Sequence, residues 1–208
     1  MADRDGGGGG VTNNDLWFTA RGAGITAMLI LTVAVVLGSL GSMRLKSAGG
    51  RVVLQYVHRT AAVLGLGLIV VHVATLVLDT KSHVSLAGAL VPFAAQYRPN
   101  AVAFGSIAMY LFLFVSALGL ARGRMANSPR GAATWRGLHL LSYPAWAMAV
   151  AHGLLAGTDR SQGWVVLLTL GCVLAVAFAG LARVFAMLDD NDDIPAGTTG
   201  RRLPEMTR

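Results

Sequence analysis

Long apolar stretches alternate with short polar ones along the chain, and five apolar stretches are long enough to cross a membrane. A helix needs roughly 20 mostly apolar residues to cross the hydrocarbon core of a bilayer. Because lipid offers the backbone no hydrogen bonds, each isolated span has to be helical. The pattern therefore predicts an all-α polytopic membrane helix bundle with about five transmembrane helices, at residues 16–40, 53–78, 101–121, 135–156 and 163–187.

The polar segments between and beyond the spans predict the rest of the organisation. The connection 79–100 is the longest, and its apolar middle is too short to cross, so we expect an interfacial helix or lid that ends before Pro99. The glycine-rich start (1–15) and the polar, proline-containing end (188–208) are typical of disordered tails. We expect residues 16–187 to form the transmembrane domain. The start of the chain lacks the pattern of a cleaved signal peptide.

The Lys and Arg residues predict the orientation of the bundle. Cytoplasmic connections of membrane proteins carry an excess of these residues. Nine lie in the connections after spans one and three and in the C-terminal tail, against four on the opposite side, so we expect the N-terminus outside and the C-terminus inside. The net charge is +7, but the basic residues form no continuous stripe and do not indicate a nucleic-acid partner. With 54% apolar and 13% charged residues, the composition predicts contact with membrane lipid, and we expect the plasma membrane.

Four of the five histidines lie within predicted spans, on two helices only. His58 and His72 are 14 residues apart in span two, and His139 and His152 are 13 apart in span four. A rise of about 1.5 Å per residue separates the members of each pair by roughly 20 Å. Both helices run outwards from the cytoplasm, so His58 and His139 lie at one depth near the inner face, and the other two lie near the outer face. Ionisable residues at such depths are rare and usually functional.

The helical period predicts that the two histidines of span two share a face and that those of span four do not. On an ideal helix a spacing of 14 returns to within about 40° of the starting face, whereas a spacing of 13 ends roughly 140° away from it. Pro144 lies between His139 and His152, and a proline kink can turn one half of a helix against the other. We therefore expect a kink at Pro144 that brings both histidines to one face.

Three further residues have two interpretations each. Gly65, midway between His58 and His72, fits either the close approach of a macrocycle or a contact between helices. Trp146 either fills the space between the two histidine levels or packs against lipid or in the core. His83, in the connection 79–100, is either a solvated loop residue or a contact to the edge of a bound cofactor or to an electron acceptor on the outer side.

Sites for a single metal ion, for a proton relay or for cation transport are less consistent with the sequence. Zinc, copper and iron ions also bind imidazole, and proton relays and cation transporters also use ionisable groups inside the membrane. These sites need clustered histidines or supporting carboxylates. No Asp or Glu lies deep in any predicted span, and the two histidines of each helix are far apart.

Between residues 17 and 160 the chain resembles the ferric reductase-like transmembrane superfamily, in the segments LWFTARGAGITAM, VHRTAAVLGLGLIVVHVATLVLD, VPFAAQYRP, WRGLHLLSYPAW and HGLLAGTD. The group includes NADPH oxidases, ferric reductases and the haem-binding membrane subunit of the periplasmic methionine sulfoxide reductase system. The segments look most like its small, stand-alone actinobacterial members. The resemblance implies two haem b groups, each with two axial histidines: His58 with His139 on the inner haem, and His72 with His152 on the outer haem.

Haem propionates need cationic or hydrogen-bonding partners near the membrane surface. On the inner side Arg51, Arg59 and Arg136 lie on or near the predicted ligand faces, and on the outer side Arg21 is the comparable cation. Each of the four also fits an ordinary positive-inside or snorkelling residue.

The chain departs from the larger relatives in two ways. No flavin- or nicotinamide-binding segment follows span five, and the predicted spans number five where many relatives have six. The resemblance therefore implies an electron-transfer subunit of a membrane oxidoreductase, without catalytic residues of its own. It would pass electrons from a separate cytoplasmic-side donor, a flavoprotein or a quinol, to an extracytoplasmic acceptor or partner protein. Two alternatives stay open: a quinone-reducing cytochrome b anchor of a dehydrogenase, and a haem-free membrane scaffold or transporter.

Overall fold

The computed structural model describes residues 12–41 and 48–192, and all regular secondary structure in these ranges is helical. Seven helices follow one another there: α1 (Asn13–Leu40), α2 (Ala48–Leu78), α3 (Leu86–Leu90), α4 (Pro99–Met125), α5 (Pro129–His139), α6 (Ser142–Ala156) and α7 (Gly163–Asp192). Helices α1, α2, α4 and α7 are long and apolar enough to cross a membrane. The predicted all-α class is confirmed, and four of the five predicted spans are helices of membrane-crossing length.

Large apolar side chains point away from the bundle on these helices. Phe178 and Leu167 on α7 are 74% and 70% exposed, and α2 presents a similar row of exposed valine and leucine side chains. Apolar surface of this extent is unfavourable in water and marks a face for lipid or another partner. The chain is therefore a membrane protein in contact with lipid.

Both ends of the described bundle reach beyond the predicted domain limits. The Thr12 hydroxyl accepts a hydrogen bond from the Asp15 amide, and the Asp15 carboxylate accepts one from the Thr12 amide, which is a capping box. Residues 13–15, predicted to belong to a disordered tail, thus form the first turn of α1. Helix α7 likewise continues past the predicted limit of 187. The rest of the two predicted tails, 1–11 and 193–208, lies outside the described residues.

The predicted span 135–156 is interrupted by a turn at 140–141, between α5 and α6. In a continuous helix the carbonyl of Leu140 would accept a bond from the amide of residue 144, but Pro144 has no N–H. The amide of Tyr143 donates to that carbonyl instead, at 3.0 Å. With 11 and 15 residues, α5 and α6 are each shorter than the roughly 20 residues of a full span. The expected kink is present as a two-residue turn at 140–141 in which both residues keep helical dihedral angles, and a fifth crossing made of α5 and α6 together stays a prediction.

The core lies where α1, α4, α6 and α7 meet. Helix α1 runs along α2 and also contacts α6 and α7, while α4 packs against α5 and α6. Trp146 is 8% exposed, belongs to this core and donates its indole N–H to the Thr32 hydroxyl at 2.9 Å. A Cβ on Gly65 would lie 2.6 Å from Cδ2 of Leu31. The structure therefore supports core packing for Trp146 and a helix contact for Gly65.

The long connection between α2 and α4 covers one end of the bundle, which we call the outer end after the predicted orientation; the opposite end is the inner end. It contains α3, the short helix expected there, and the Ser106 hydroxyl of α4 donates to the α3 carbonyl of Ala89 at 2.6 Å. The Tyr97 hydroxyl and the Arg98 guanidinium donate to carbonyls at the end of α6, at 3.2 and 2.6 Å. These bonds fix the connection across the outer ends of α4 and α6.

Candidate functional site

The structure brings the four histidines of the predicted spans into two facing pairs. His58 on α2 lies opposite His139 at the end of α5, with ring centroids 6.2 Å apart and ring planes at 62°. His72 on α2 lies opposite His152 on α6, with centroids 6.3 Å apart and planes at 82°. Each pair joins two helices at its own depth in the bundle, which is the arrangement that the predicted topology implies.

This separation fits two imidazoles that bind one metal ion from opposite sides. A bond from a metal to an imidazole nitrogen is about 2 Å, and the ring centre lies about 1 Å behind that nitrogen, so the two centroids should be about 6 Å apart. Within the described residues, α2 packs mainly along α1 and does not pack closely against α5 or α6, which carry the partner histidines. The two members of each pair therefore face each other across a gap between helices.

Three of the four rings are oriented by a hydrogen bond to a backbone carbonyl of a neighbouring helix. Because a carbonyl only accepts, Nδ1 carries the proton in each ring, and Nε2 keeps a lone pair for a metal. Metal-binding histidines are usually held by this kind of outer hydrogen bond. The bonds run from Nδ1 of His58 to Ala34 (2.8 Å), of His72 to Ala20 (2.7 Å) and of His152 to Ala101 (2.8 Å).

A glycine follows each accepting residue four positions later, and we call Gly24, Gly38 and Gly105 the notch glycines. A Cβ on Gly24 would lie 2.9 Å from Nδ1 of His72, and one on Gly105 would lie 2.8 Å from Nδ1 of His152. A Cβ on Gly38 would lie 3.1 Å from Cε1 of the His58 ring. The missing side chains thus leave the space in which the rings reach the carbonyls.

This threefold Ala-x-x-x-Gly pattern was not predicted from the sequence. The available signal was a pair of small residues four positions apart, which is common wherever two membrane helices approach closely. The pattern alone does not say which side chain fills the notch. That information comes from the packing of α1 beside α2 and of α4 beside α6.

His139 is held differently. Its Nδ1 is buried and has no hydrogen-bond partner among the described residues. Trp135, one turn earlier on α5, stacks on the ring with centroids 4.9 Å apart and planes at 20°. The indole N–H of Trp135 donates to the carbonyl of Leu118 at 2.9 Å, and the Arg122 guanidinium lies 5.1 Å from the indole centre. Stacking therefore orients this ring in place of a hydrogen bond.

A cavity of about 780 Å³ opens beside the outer pair and includes His72, His152 and two of the notch glycines in its wall. Its interior is mostly apolar. Its mouth carries charged side chains, which include Lys81, Arg160 and the ion pair of Arg21 with Asp159. Cofactor sites commonly measure about 300–1,000 Å³ and are mostly apolar with a few polar groups. The outer end therefore offers a mostly apolar cavity of cofactor size with side chains of both charges around it.

The predicted propionate partners lie in different settings. Arg21 lines the mouth of the outer cavity, pairs with Asp159 and lies 4.0 Å from the Trp17 ring centre. The three inner candidates have exposed side chains: Arg51, Arg59 and Arg136.

Another cation, Arg122, lies 5.1 Å from the centre of the Trp135 ring, which stacks on His139. It was not among the site residues predicted from the sequence, because it belongs to α4, which carries no histidine.

His83 lies at the edge of the outer cavity. It also lines a smaller pocket of about 270 Å³ together with Asp79 and Thr80. Its φ of 53° is in the left-handed region, which is uncommon for residues other than glycine and is often found near functional sites. A role in contact with an acceptor stays a prediction.

Comparison of the chain with protein-family models, with curated proteins and with solved structures gives no match. The resemblance to the ferric reductase-like superfamily therefore stays a prediction from sequence motifs, and the function has to be argued from the geometry of the site.

Proposed function

We propose that this chain is the electron-transfer subunit of a membrane oxidoreductase and holds two haem b groups. His58 and His139 would be the axial ligands of the inner haem, and His72 and His152 those of the outer haem. The observation that carries the proposal is the pair of ring separations, 6.2 and 6.3 Å. When bound, haem supplies one-electron oxidation and reduction. Because two histidines would hold each haem, we expect an electron relay rather than a site for direct oxygen chemistry.

The chain's own residues have three roles in this proposal. Carbonyls on α1 and α4 fix the tautomer and orientation of three histidines. Apolar side chains around the outer cavity exclude water and keep the surroundings of low polarity. Cations at each end would be available to balance the propionates: Arg21 beside the outer cavity, and Arg122, which lies over the Trp135 ring that stacks on His139. The exposed inner arginines stay candidates for this charge balance: Arg51, Arg59 and Arg136.

The positions of the two pairs suit transfer across a membrane. His58 and His72 are 14 residues apart on the continuous helix α2, which places the two levels roughly 20 Å apart. We propose that electrons enter from a cytoplasmic-side flavoprotein or quinol and leave to an extracytoplasmic acceptor, in the plasma membrane, with the N-terminus outside. The membrane potential, negative inside, favours this direction by roughly 2.3 kcal/mol for each 100 mV crossed.

A second candidate function is a quinone-reducing cytochrome b anchor of a dehydrogenase. The observation that favours it is the smaller outer pocket, where Asp79, Thr80 and His83 offer hydrogen-bonding groups next to the outer cavity. The two functions share the haem ligands and differ in the direction of electron flow. A haem-free scaffold or transporter is the alternative of another class.

Haem content tests the proposal directly. The full chain, purified from membranes, should give a reduced-minus-oxidised spectrum with low-spin b-type bands and about two haems per chain. A protein that folds but contains no haem would contradict the proposal and favour a scaffold. For the direction, reduction of the haem-loaded protein by a quinol can be compared with reduction by a flavoprotein. Rapid reduction by the flavoprotein and none by quinol would exclude the quinol as the donor.

A further inference from the structure

We propose that the three notch glycines are positioning residues that set the redox potentials of the two haems, and that they make the outer haem the one of lower midpoint potential. This inference rests on the proposed function, because it assumes one haem between each histidine pair. It adds an order of potentials and assigns a role to Gly24, Gly38 and Gly105.

The physical basis is the hydrogen bond on the far side of each axial ring. A ring that donates its Nδ1–H to a carbonyl becomes a more basic ligand at Nε2. A more basic ligand stabilises ferric iron over ferrous iron and so lowers the midpoint potential. These bonds lie inside an apolar bundle, where a hydrogen bond is electrostatically stronger than in water.

The two pairs differ in the number of these bonds. Both outer rings donate, His72 at 2.7 Å and His152 at 2.8 Å. At the inner end His58 donates at 2.8 Å, whereas the buried Nδ1 of His139 has no partner in the described part of the chain. The outer pair should therefore be the more strongly donating one.

The difference in hydrogen bonding therefore predicts a lower midpoint potential for the outer haem.

The break between α5 and α6 explains why the inner end lacks the fourth bond. Gly119 lies 14 residues after Gly105 on α4, at the position that repeats the notch one level further in. A Cβ on Gly119 would meet nothing within 4 Å, so no histidine ring fills that place. The spacing of 13 and the turn at 140–141 direct His139 to Trp135 instead.

The consequence is a preference for the electron to reside on the inner haem at equilibrium. Transfer outwards would then run from the higher to the lower potential and would depend on the membrane potential and on removal of electrons by the acceptor. The inner haem would therefore be the one that holds the electron after reduction by a donor.

The experiment is a redox titration of the purified full chain, followed in the haem absorption bands. His72→Ala and His58→Ala variants, each with one haem left, assign the two midpoint potentials. We expect the remaining haem of His72→Ala to titrate at the higher potential. If the outer haem has the equal or higher potential, the inference is overturned, whatever the glycine variants show.

Substitution of the notch glycines gives a signed test. In Gly24→Ala and Gly105→Ala the added methyl group should push an outer ring away from its carbonyl. The midpoint potential of the outer haem should then rise, and the difference between the two midpoint potentials should become smaller. In Gly38→Ala the inner potential should rise and the difference should become larger. A general loss of packing is not expected to decrease the difference between the two potentials in the outer variants and to increase it in the inner variant.

The chain provides matched controls, because a Cβ on Gly22 of α1 or on Gly119 of α4 would meet nothing within 4 Å. Gly22→Ala and Gly119→Ala should leave both potentials unchanged. Notch variants that retain both haems at the control potentials would contradict the role of the glycines. If a notch variant loses its haem, the single-haem titration above still decides the order of potentials. A wild-type chain without haem contradicts the proposed function itself, which is a distinguishable outcome.

Discussion

The outer and inner histidine pairs have the same composition but are held in different ways. At the outer end both rings donate to carbonyls of continuous helices, α1 and α4, beside a large cavity. At the inner end only His58 does so, and His139 lies under Trp135 next to the turn at 140–141. A facing pair can thus be built either by hydrogen bonds to rigid helices or by stacking beside a break. This difference predicts that substitutions disturb haem binding at the inner pair more than at the outer pair.

The largest expected effects come from the histidines and test the pairing itself. A double variant within one pair, His72→Ala with His152→Ala, should lose one haem of two, as each single variant does. A double variant along one helix, His58→Ala with His72→Ala, should lose both. Haem per chain, measured on purified protein, distinguishes the two patterns. His83→Ala is the control and should keep two haems. Equal losses in the two double variants would show that the pairs do not act as units.

The next effect concerns the break, which affects the inner pair alone. In Pro144→Ala the amide of residue 144 can donate to the Leu140 carbonyl, and α5 and α6 can join into one helix. The ring of His139 would then turn by roughly 140° relative to His152, and the inner haem should be lost while the outer one is kept. Haem per chain should fall from about two to about one. Pro129→Ala, at the first turn of α5 where proline is well tolerated, should change nothing. Two retained haems in Pro144→Ala would show that packing, not proline, sets the break.

The matched depths of the histidines and the need for a kink could be predicted from the sequence, because they depend on helical rise, on helical period and on the direction of each span. Fourteen residues along α2 fix the depth and face of His58 and His72, whatever lies beside them. The excess rotation of a 13-residue spacing requires a break somewhere near Pro144. Hydropathy nevertheless predicted one span at 135–156, because a sum over apolar residues does not register one missing amide.

The notch glycines and Arg122 could not be predicted in this way. Their roles depend on which helix lies beside which, and a single sequence does not contain that adjacency. Arg51, Arg59 and Arg136 were selected because they are near histidines along the chain. Arg122 approaches the inner site from α4, over the Trp135 ring that stacks on His139.

A moderate effect is expected from Trp135, which replaces a hydrogen bond at the inner end. An aromatic pair contributes about 0.5–1.5 kcal/mol beyond its buried area, so Trp135→Ala should weaken inner-haem affinity by roughly 2- to 10-fold. Trp135→Phe keeps the stacking and loses only the bond to the Leu118 carbonyl, so its affinity should be close to that of the wild type. Haem titration of the apo-protein in a His72→Ala background, where only the inner site remains, measures this. Equal losses in the Ala and Phe variants would assign the effect to the hydrogen bond instead.

The smallest effect concerns the ion pair of Arg21 with Asp159 at the mouth of the outer cavity. Both side chains are partly exposed, at 28% and 20%, and such pairs contribute only about 0.2–1 kcal/mol to stability. If Arg21 serves the outer haem, Arg21→Gln removes positive charge and should lower the outer potential, whereas Asp159→Asn removes negative charge and should raise it. If the pair only joins α1 to the connection after α6, both variants should lower the melting temperature equally and leave the potentials unchanged. The inner potential is the internal control in both variants, because a charge at the outer mouth acts weakly on a group some 20 Å away. Opposite shifts confined to the outer haem would therefore assign Arg21 to the outer site.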